Sequence, residues 1–296
     1  MNLGEFAALG TALCWSFGSI FFTVASRRIG STVVNRLRLG LALVLLIGLH
    51  FIISGKILPS EATGIHWFWF GLSGIIGFAI GDNFLFRAFV LLGPRVTMLI
   101  MSLVPVIGAL MAWIFLRETV SPLKILAIVI TLVGIAWVIM GKKNGDAKIN
   151  SYFQGILMGL GGALCQVLGL LLSKRGLTSG FSVLSGNLIR IFTAVVTVWI
   201  YSAIRGNLKE SFTRLADKKA GIGVLGGAVF GPFLGVSLSL VAIQHTSIGI
   251  ASTIMALPPV FLIPLSSWVF KEKITIRAVL GTIIALIGVT LIFLVA

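Results

Sequence analysis

LVPVIGALMAWIFLRETV, residues 103–120, returns later in the chain as LPPVFLIPLSSWVFKEKI, residues 257–274. Pro105 falls on Pro259 and Glu118 on Glu272. Without a gap, ITLVGIAWV (130–138) then lies over IALIGVTLI (284–292), with Gly134 on Gly288. Backwards at the same offset, Gly77 and Gly81 fall on Gly231 and Gly235. The early segments match as well: GTALCWSFG (10–18) over GGALCQVLG (161–169), with Cys14 on Cys165, and NRLR (35–38) over NLIR (187–190). The chain is a tandem duplication. Its first apolar run is therefore expected to be a retained helix, equivalent to the sixth. MNLGEF also lacks the Lys or Arg of a cleaved signal's n-region.

What has been duplicated is membrane-spanning. Of the 296 residues, 58% are hydrophobic and only 10% charged, against about 25% charged in soluble domains. Apolar runs near 5–25, 32–53, 67–91, 95–116, 123–140, 153–173, 182–204, 220–243, 248–270 and 275–295 can each cross a roughly 30 Å hydrocarbon layer as a helix. Runs of that length exclude a barrel, whose strands are about ten residues long and alternate. The expected fold is an all-α membrane protein of ten transmembrane helices. Residues 1–141 form one five-helix repeat, 142–152 a linker and 153–296 the second repeat. Five is odd, so the second copy enters the membrane in the opposite direction. Inverted repeats are a transporter architecture, with the binding site near the midplane between the copies.

Lys and Arg number 23 against 8 Asp and Glu, a net charge of +15. In a soluble protein that balance suggests nucleic acid. Here the basic residues sit in short loops such as ASRRIG and GKKNGDAK, where they orient the chain and meet anionic headgroups. Loops after the odd-numbered helices carry most of them, so the positive-inside count puts both termini outside. The partners expected are a small-molecule substrate and the lipid bilayer, not nucleic acid, with a homodimer left open. The expected location is the cell membrane, as in a bacterial inner membrane. Cys14 and Cys165 lie within apolar runs and read as small packing residues.

Several repeated features have structural readings. GxxxG at 77–81 and 231–235 lets helices three and eight approach their neighbours closely. RE at 117–118 and KE at 271–272 end helices four and nine and read as caps or pairs across the turn. Pro105 and Pro259 each remove one backbone donor. They read equally as packing kinks and as hinges that free carbonyls toward a cavity.

One stretch resists that treatment: GDNFLFRAFVLLGPR, residues 81–95. The repeat supplies an internal control. GDNFLFRAF lies over GVSLSLVAI, so Asp82 meets Val236 and Arg87 meets Val241. The fold does not require those charges at that position. Asp82 falls about 4–5 Å from the expected centre of its helix, where an ionised group costs on the order of 2.5–3.5 kcal/mol. Such a group faces a cavity or a partner, and Arg38 and Arg190, one turn into helices two and seven, are the candidate partners. Arg87 is near enough to the helix end to snorkel, and it shares a face with Asn83. Asp82 reads as an interhelical salt bridge, as a substrate-amine or proton site, or as an exposed residue if the helix ends are displaced.

Candidate substrate or coupling residues are thus Asp82, Asn83 and Phe86 on helix three, Arg38 and Arg190, and Trp15 with Gln166 at equivalent places on helices one and six. Arg38 and Arg190 read either as interfacial anchors or as cationic cavity residues that attract carboxylates. WFWF (67–70) with His66 reads as an aromatic belt, and Gln244 and His245 as surface residues. No GxxxxGK[ST] is present, so no ATP-binding module is expected. No HExxH or paired membrane aspartates support an intramembrane enzyme, and no catalytic residue, cofactor or metal is expected.

The chain resembles the EamA-domain branch of the drug/metabolite transporter superfamily. SLVPVIGALMAWIFLRE…ITLVGI, ALPPVFLIPLSSWVFKE…IALIGV and ALCWSFGSIFF carry the resemblance, which covers nearly the whole chain. It implies a secondary transporter exporting or exchanging a small polar metabolite such as an amino acid, through a cavity lined by helices one to four and six to nine. It also implies termini in the cytoplasm, against the charge count. A proton-coupled efflux transporter of lipophilic cations is the alternative. The related small multidrug transporters use a Glu in mid-helix one, where this chain has Cys14 and Trp15.

Overall fold

The computed structural model describes residues 3–116, 121–140, 146–177, 181–214, 216–246 and 248–294. Ten helices are long and apolar enough to span a bilayer: α1 (Leu3–Ile29), α2 (Ser31–Ser54), α3 (Gly64–Leu92), α4 (Pro94–Met111), α5 (Pro122–Met140), α6 (Asn150–Gly176), α7 (Val183–Ile204), α8 (Lys218–Ser239), α9 (Ile250–Phe270) and α10 (Ile276–Leu294). The protein is a multi-pass membrane protein. Its connections are tight where glycine permits. Gly93, at φ 82, turns α3 into α4, and Pro94 then opens α4 with its φ preset. A side chain at Gly93 would be strained by that φ, and its Cβ would lie 2.9 Å from Glu272 Oε1.

The duplication is written into the helix irregularities. α3 widens into a π-helical segment at Ile75–Gly81 and α8 does so at Val229–Gly235, equivalent positions in the two repeats. α4 breaks at Ser102–Leu103, where the Leu103 N–H reaches only to the Ile100 carbonyl at 2.9 Å. α9 breaks at Ala256–Leu257, with Leu257 N–H on the Ile254 carbonyl at 3.2 Å. Pro105 and Pro259 follow directly. Each removes the donor that the carbonyl of Met101 or Met255 would have met in a continuous helix.

Packing obeys the same pseudo-symmetry. α3 lies on α6 and α8 on α1. Gly81 has no room for a side chain beside Cys165, whose Cβ would be 2.8 Å away, and Gly235 none beside Trp15, whose ring would be 2.6 Å away. The two GxxxG pairs thus let these helices approach as expected. α5 crosses α10 with Gly134 against Ala285 and Gly281, and Gly288 against Thr131 and Ala127.

Two symmetric pairs are unequal, and this inequality shapes the molecule. The first half of α4 packs on the second half of α9. Among the described residues the second half of α4 makes no comparable contact with the first half of α9. Likewise α2 packs on α3 and α8, while α7 packs on α3 and α2 and, among the described residues, makes no comparable contact with α8. The bundle is therefore closed toward the loops that follow odd-numbered helices and parts toward the opposite side. Polar contacts fasten the closed end. Arg28 Nε donates to Asp217 at 2.6 Å, Arg214 Nη1 to the Ile29 carbonyl at 3.0 Å, and Arg36 Nη1 to the Asn207 carbonyl at 2.9 Å and to Ser211.

Candidate functional site

The site is built around the π-helical turn of α3. The centre of α3 falls at Phe78, and Asp82 lies four residues beyond, about 6 Å along the axis. In the wide turn the Asp82 N–H bonds back to the Gly77 carbonyl, and the carbonyls of Phe78 and Ala79 accept side-chain donors. Asn35 of α2 reaches both: its Nδ2 donates to Phe78 at 3.0 Å and to Ala79 at 3.4 Å. The Oδ1 of Asn35 then accepts from Arg38 Nε at 3.2 Å and Nη2 at 3.1 Å. The same Arg38 Nη2 donates to Asp82 Oδ2, closing a buried ion pair. Asp82 is 8% exposed and Arg38 4%, so neither charge is held by solvent.

Aromatic rings line the cations. The Arg38 guanidinium lies over Phe86 at 5.0 Å and Phe78 at 6.0 Å, and Phe86 stacks on Phe22 at 4.7 Å. Arg190 of α7 approaches Phe78 at 4.5 Å, so the two guanidiniums share one ring at mid-membrane. They are not equally served. Nε and Nη2 of Arg190 are buried and donate to nothing among the described residues. The same holds for Nδ2 of Asn187, one turn earlier.

The structure brings Arg38, Asp82, Phe86 and Arg190 together, and it chooses Arg38 as the partner of Asp82. That burial makes Arg38 something other than an interfacial anchor. Asn83 points its Nδ2 back to the Ala79 carbonyl at 2.7 Å, and its Oδ1 has no donor. Arg87 is exposed. Trp15 is wedged on Gly235, and Gln166 is half-buried on α6. Pro105 is half-buried and Pro259 buried, each beside its helix break. Phe78 is the part of the site that sequence reading missed. Glycines at 74, 77 and 81 hint at the turn that carries it.

Other expectations are redistributed. The aromatic belt holds for Phe68, 60% exposed, while Phe70 is buried and packs on Phe181. His66 instead caps α3, accepting from the Thr63 N–H at 3.0 Å. Glu272 does not pair across its own turn. It faces Arg95 of α4 at 3.8 Å, with Arg27 lying over the adjacent Phe270 at 4.7 Å. Arg117, Glu118 and residues 141–145 of the linker lie outside the described residues, as does the side chain of Gln244. At the opposite face Ser185 Oγ donates to Glu61 at 2.7 Å and meets His50 Nε2 at 3.2 Å. There the acid contacts the serine and not the histidine, which is not the order of a charge-relay triad.

The family model described as EamA-like transporter family matches residues 2–140 and again 153–294. The chain belongs to that family. Its EamA membership places it in the drug/metabolite transporter superfamily, among membrane transporters, and the two matches coincide with the two five-helix halves. A solved structure described only as "Crystal structure of protein" is 16% identical, with a TM-score of 0.60, covering 99% of this chain and 97% of that one. At that identity it shows the fold alone. No curated protein matches the chain. For this EamA-like transporter the site residues therefore rest on the geometry described above.

Proposed function

We propose that the protein is a secondary transporter that exports or exchanges a small polar metabolite, such as an amino acid, across the bacterial inner membrane by alternating access. The observation that carries this reading is the unequal closure of equivalent helix pairs. α4 and α9 meet at one end of the bundle and part at the other. In an inverted repeat, swapping the conformations of the two halves moves the closure to the opposite face. A charged and aromatic cluster on α2, α3 and α7 lies near the middle, where either opening can reach it. The breaks at Pro105 and Pro259 serve as hinges in this reading.

The Lys- and Arg-rich loops face the cytoplasm, which leaves both termini outside and the described conformation open outward. Labelling of a cysteine introduced at Lys209 by an impermeant reagent in intact cells would overturn that orientation. The lipophilic-cation alternative gains no support from a centre whose cations outnumber its carboxylates. The deciding experiment is counterflow in proteoliposomes with labelled amino acids, nucleobases, sugars and organic cations. Saturable counterflow of a polar class is the expected result. Folded protein that moves none of them refutes the carrier reading.

A further inference from the structure

We infer that the substrate carries a carboxylate and that Arg190 is the residue that binds it, a step that rests on the carrier reading and names its substrate class. The first repeat shows what the arginine of the Asn–Arg couple on the second helix of each half can hold. In the first half, Arg38 receives the Asp82 carboxylate, while Asn35 accepts from Arg38 through Oδ1 and holds the α3 carbonyls through Nδ2. In the second half, Asn187 and Arg190 are present and the carboxylate is not, because Val236 stands at the position equivalent to Asp82. Among the described residues Arg190 Nε and Nη2 are left without acceptors, and Asn187 Nδ2 lacks the backbone carbonyls that Asn35 finds on α3.

Two buried guanidinium nitrogens without an acceptor are an expensive arrangement, and an arginine's planar fork matches a carboxylate in two parallel hydrogen bonds. Local charge points the same way, since two guanidiniums flank Phe78 and Asp82 supplies one negative charge. Access is available. Arg190 keeps partial exposure, and the α7–α8 junction is parted where its counterpart α2–α3 is packed. A lipid phosphate does not fit the place. Arg190 lies within about one turn of the centre of α7, roughly 5 Å from the midplane, whereas headgroups begin about 15 Å from it.

The test uses matched probes: phenylalanine, phenylalaninamide and phenethylamine, with lactate, glucose and adenine beside them. Two readings are taken on the intact protein, thermal stabilisation in detergent and counterflow in proteoliposomes. Carboxylate-bearing probes are expected to stabilise the wild type, and their amide or amine counterparts are not. Arg190→Gln should raise the half-saturation concentration about tenfold or more, the loss of one charge-assisted pair, and Arg190→Lys should recover part of it. Stabilisation by the amide or amine equal to that by the acid overturns the inference in the wild type alone, whatever the variants do. Unchanged carboxylate binding in Arg190→Gln overturns it as well. Carboxylate-specific stabilisation without flux of any probe upholds the anion site and refutes the transporter. Flux confined to glucose, adenine or amines upholds the transporter and refutes the anion site.

Discussion

Asp82 and Arg38 illustrate how a single residue difference between two repeats becomes a structural asymmetry. Each is a poor membrane residue alone, and together they are tolerated because the pair is closed by Asn35 and by carbonyls of a π-helical turn. Removing one member leaves the other buried and uncompensated, which typically costs about 3–5 kcal/mol. Asp82→Asn should therefore lower thermal stability markedly, and Arg38→Gln placed in the same chain should restore much of the loss. Equal instability of the double and single variants, read by thermal denaturation in detergent, would show that the two side chains do not act as a pair. At this scale the sequence was informative about which residues matter. The depth of Asp82 and its absence from the second copy marked it, and the arginines one turn into helices two and seven supplied the candidate partners. Which arginine it meets was not legible, because both lie on equivalent helices that pack on α3, and only the packing of α2 on the Asp82–Leu92 half of α3 favours Arg38.

The helices depend on close approach and on their caps. Gly134 and Gly288 sit at the crossing of α5 and α10, where a Cβ at Gly134 would come within 2.7 Å of the Gly281 carbonyl oxygen. Gly134→Val forces the two helices apart, and overpacking of this kind costs about 1–3 kcal/mol. A lowered melting temperature is expected, and an unchanged one would place the crossing elsewhere. Asp217 caps α8, with Oδ1 accepting from the Lys219 and Ala220 N–H groups at 3.0 and 3.1 Å. The hydrogen bond from Arg28, helped by those backbone bonds, holds its carboxyl below the usual range. Its stabilisation is thus fully present above about pH 4 and fades as pH falls through the lowered folded value. Melting temperature in acid should fall less steeply in Asp217→Asn than in the wild type, and parallel curves would deny the cap its part. Helix number and order were legible because apolar length and the repeat are local properties. The π-helical segments were not, since they depend on how α3 and α8 meet α6 and α1.

At the scale of the whole molecule, the closed end is held where α4 meets α9. Glu272 lies between Arg95 and the Arg27–Phe270 contact, beside Gly93 at the turn from α3. A carboxylate there stitches the second repeat to the first. Glu272→Gln should weaken the closure, seen as a longer or broader distance between spin labels placed on α4 and α9 at that end. An unchanged distance distribution would assign the closure to apolar packing alone. On the aligned sequence the position equivalent to Arg95 is Gly249, which carries no charge. The two repeats are therefore unlike in charge at these equivalent positions.

By itself the sequence determined the class, the ten spans, the inverted duplication and the short list of charged residues near the middle of the membrane. These follow from hydrophobic length, parity and internal alignment, all of which are read along one chain. Only the tertiary structure decided that Asp82 closes on Arg38, that Arg190 and Asn187 are left with donors to spare, and that the bundle shuts at one end. The repeat makes the competing arrangements nearly equivalent in sequence. The choice between them rests on which helices pack, a small difference between large and similar contact energies that no single segment encodes.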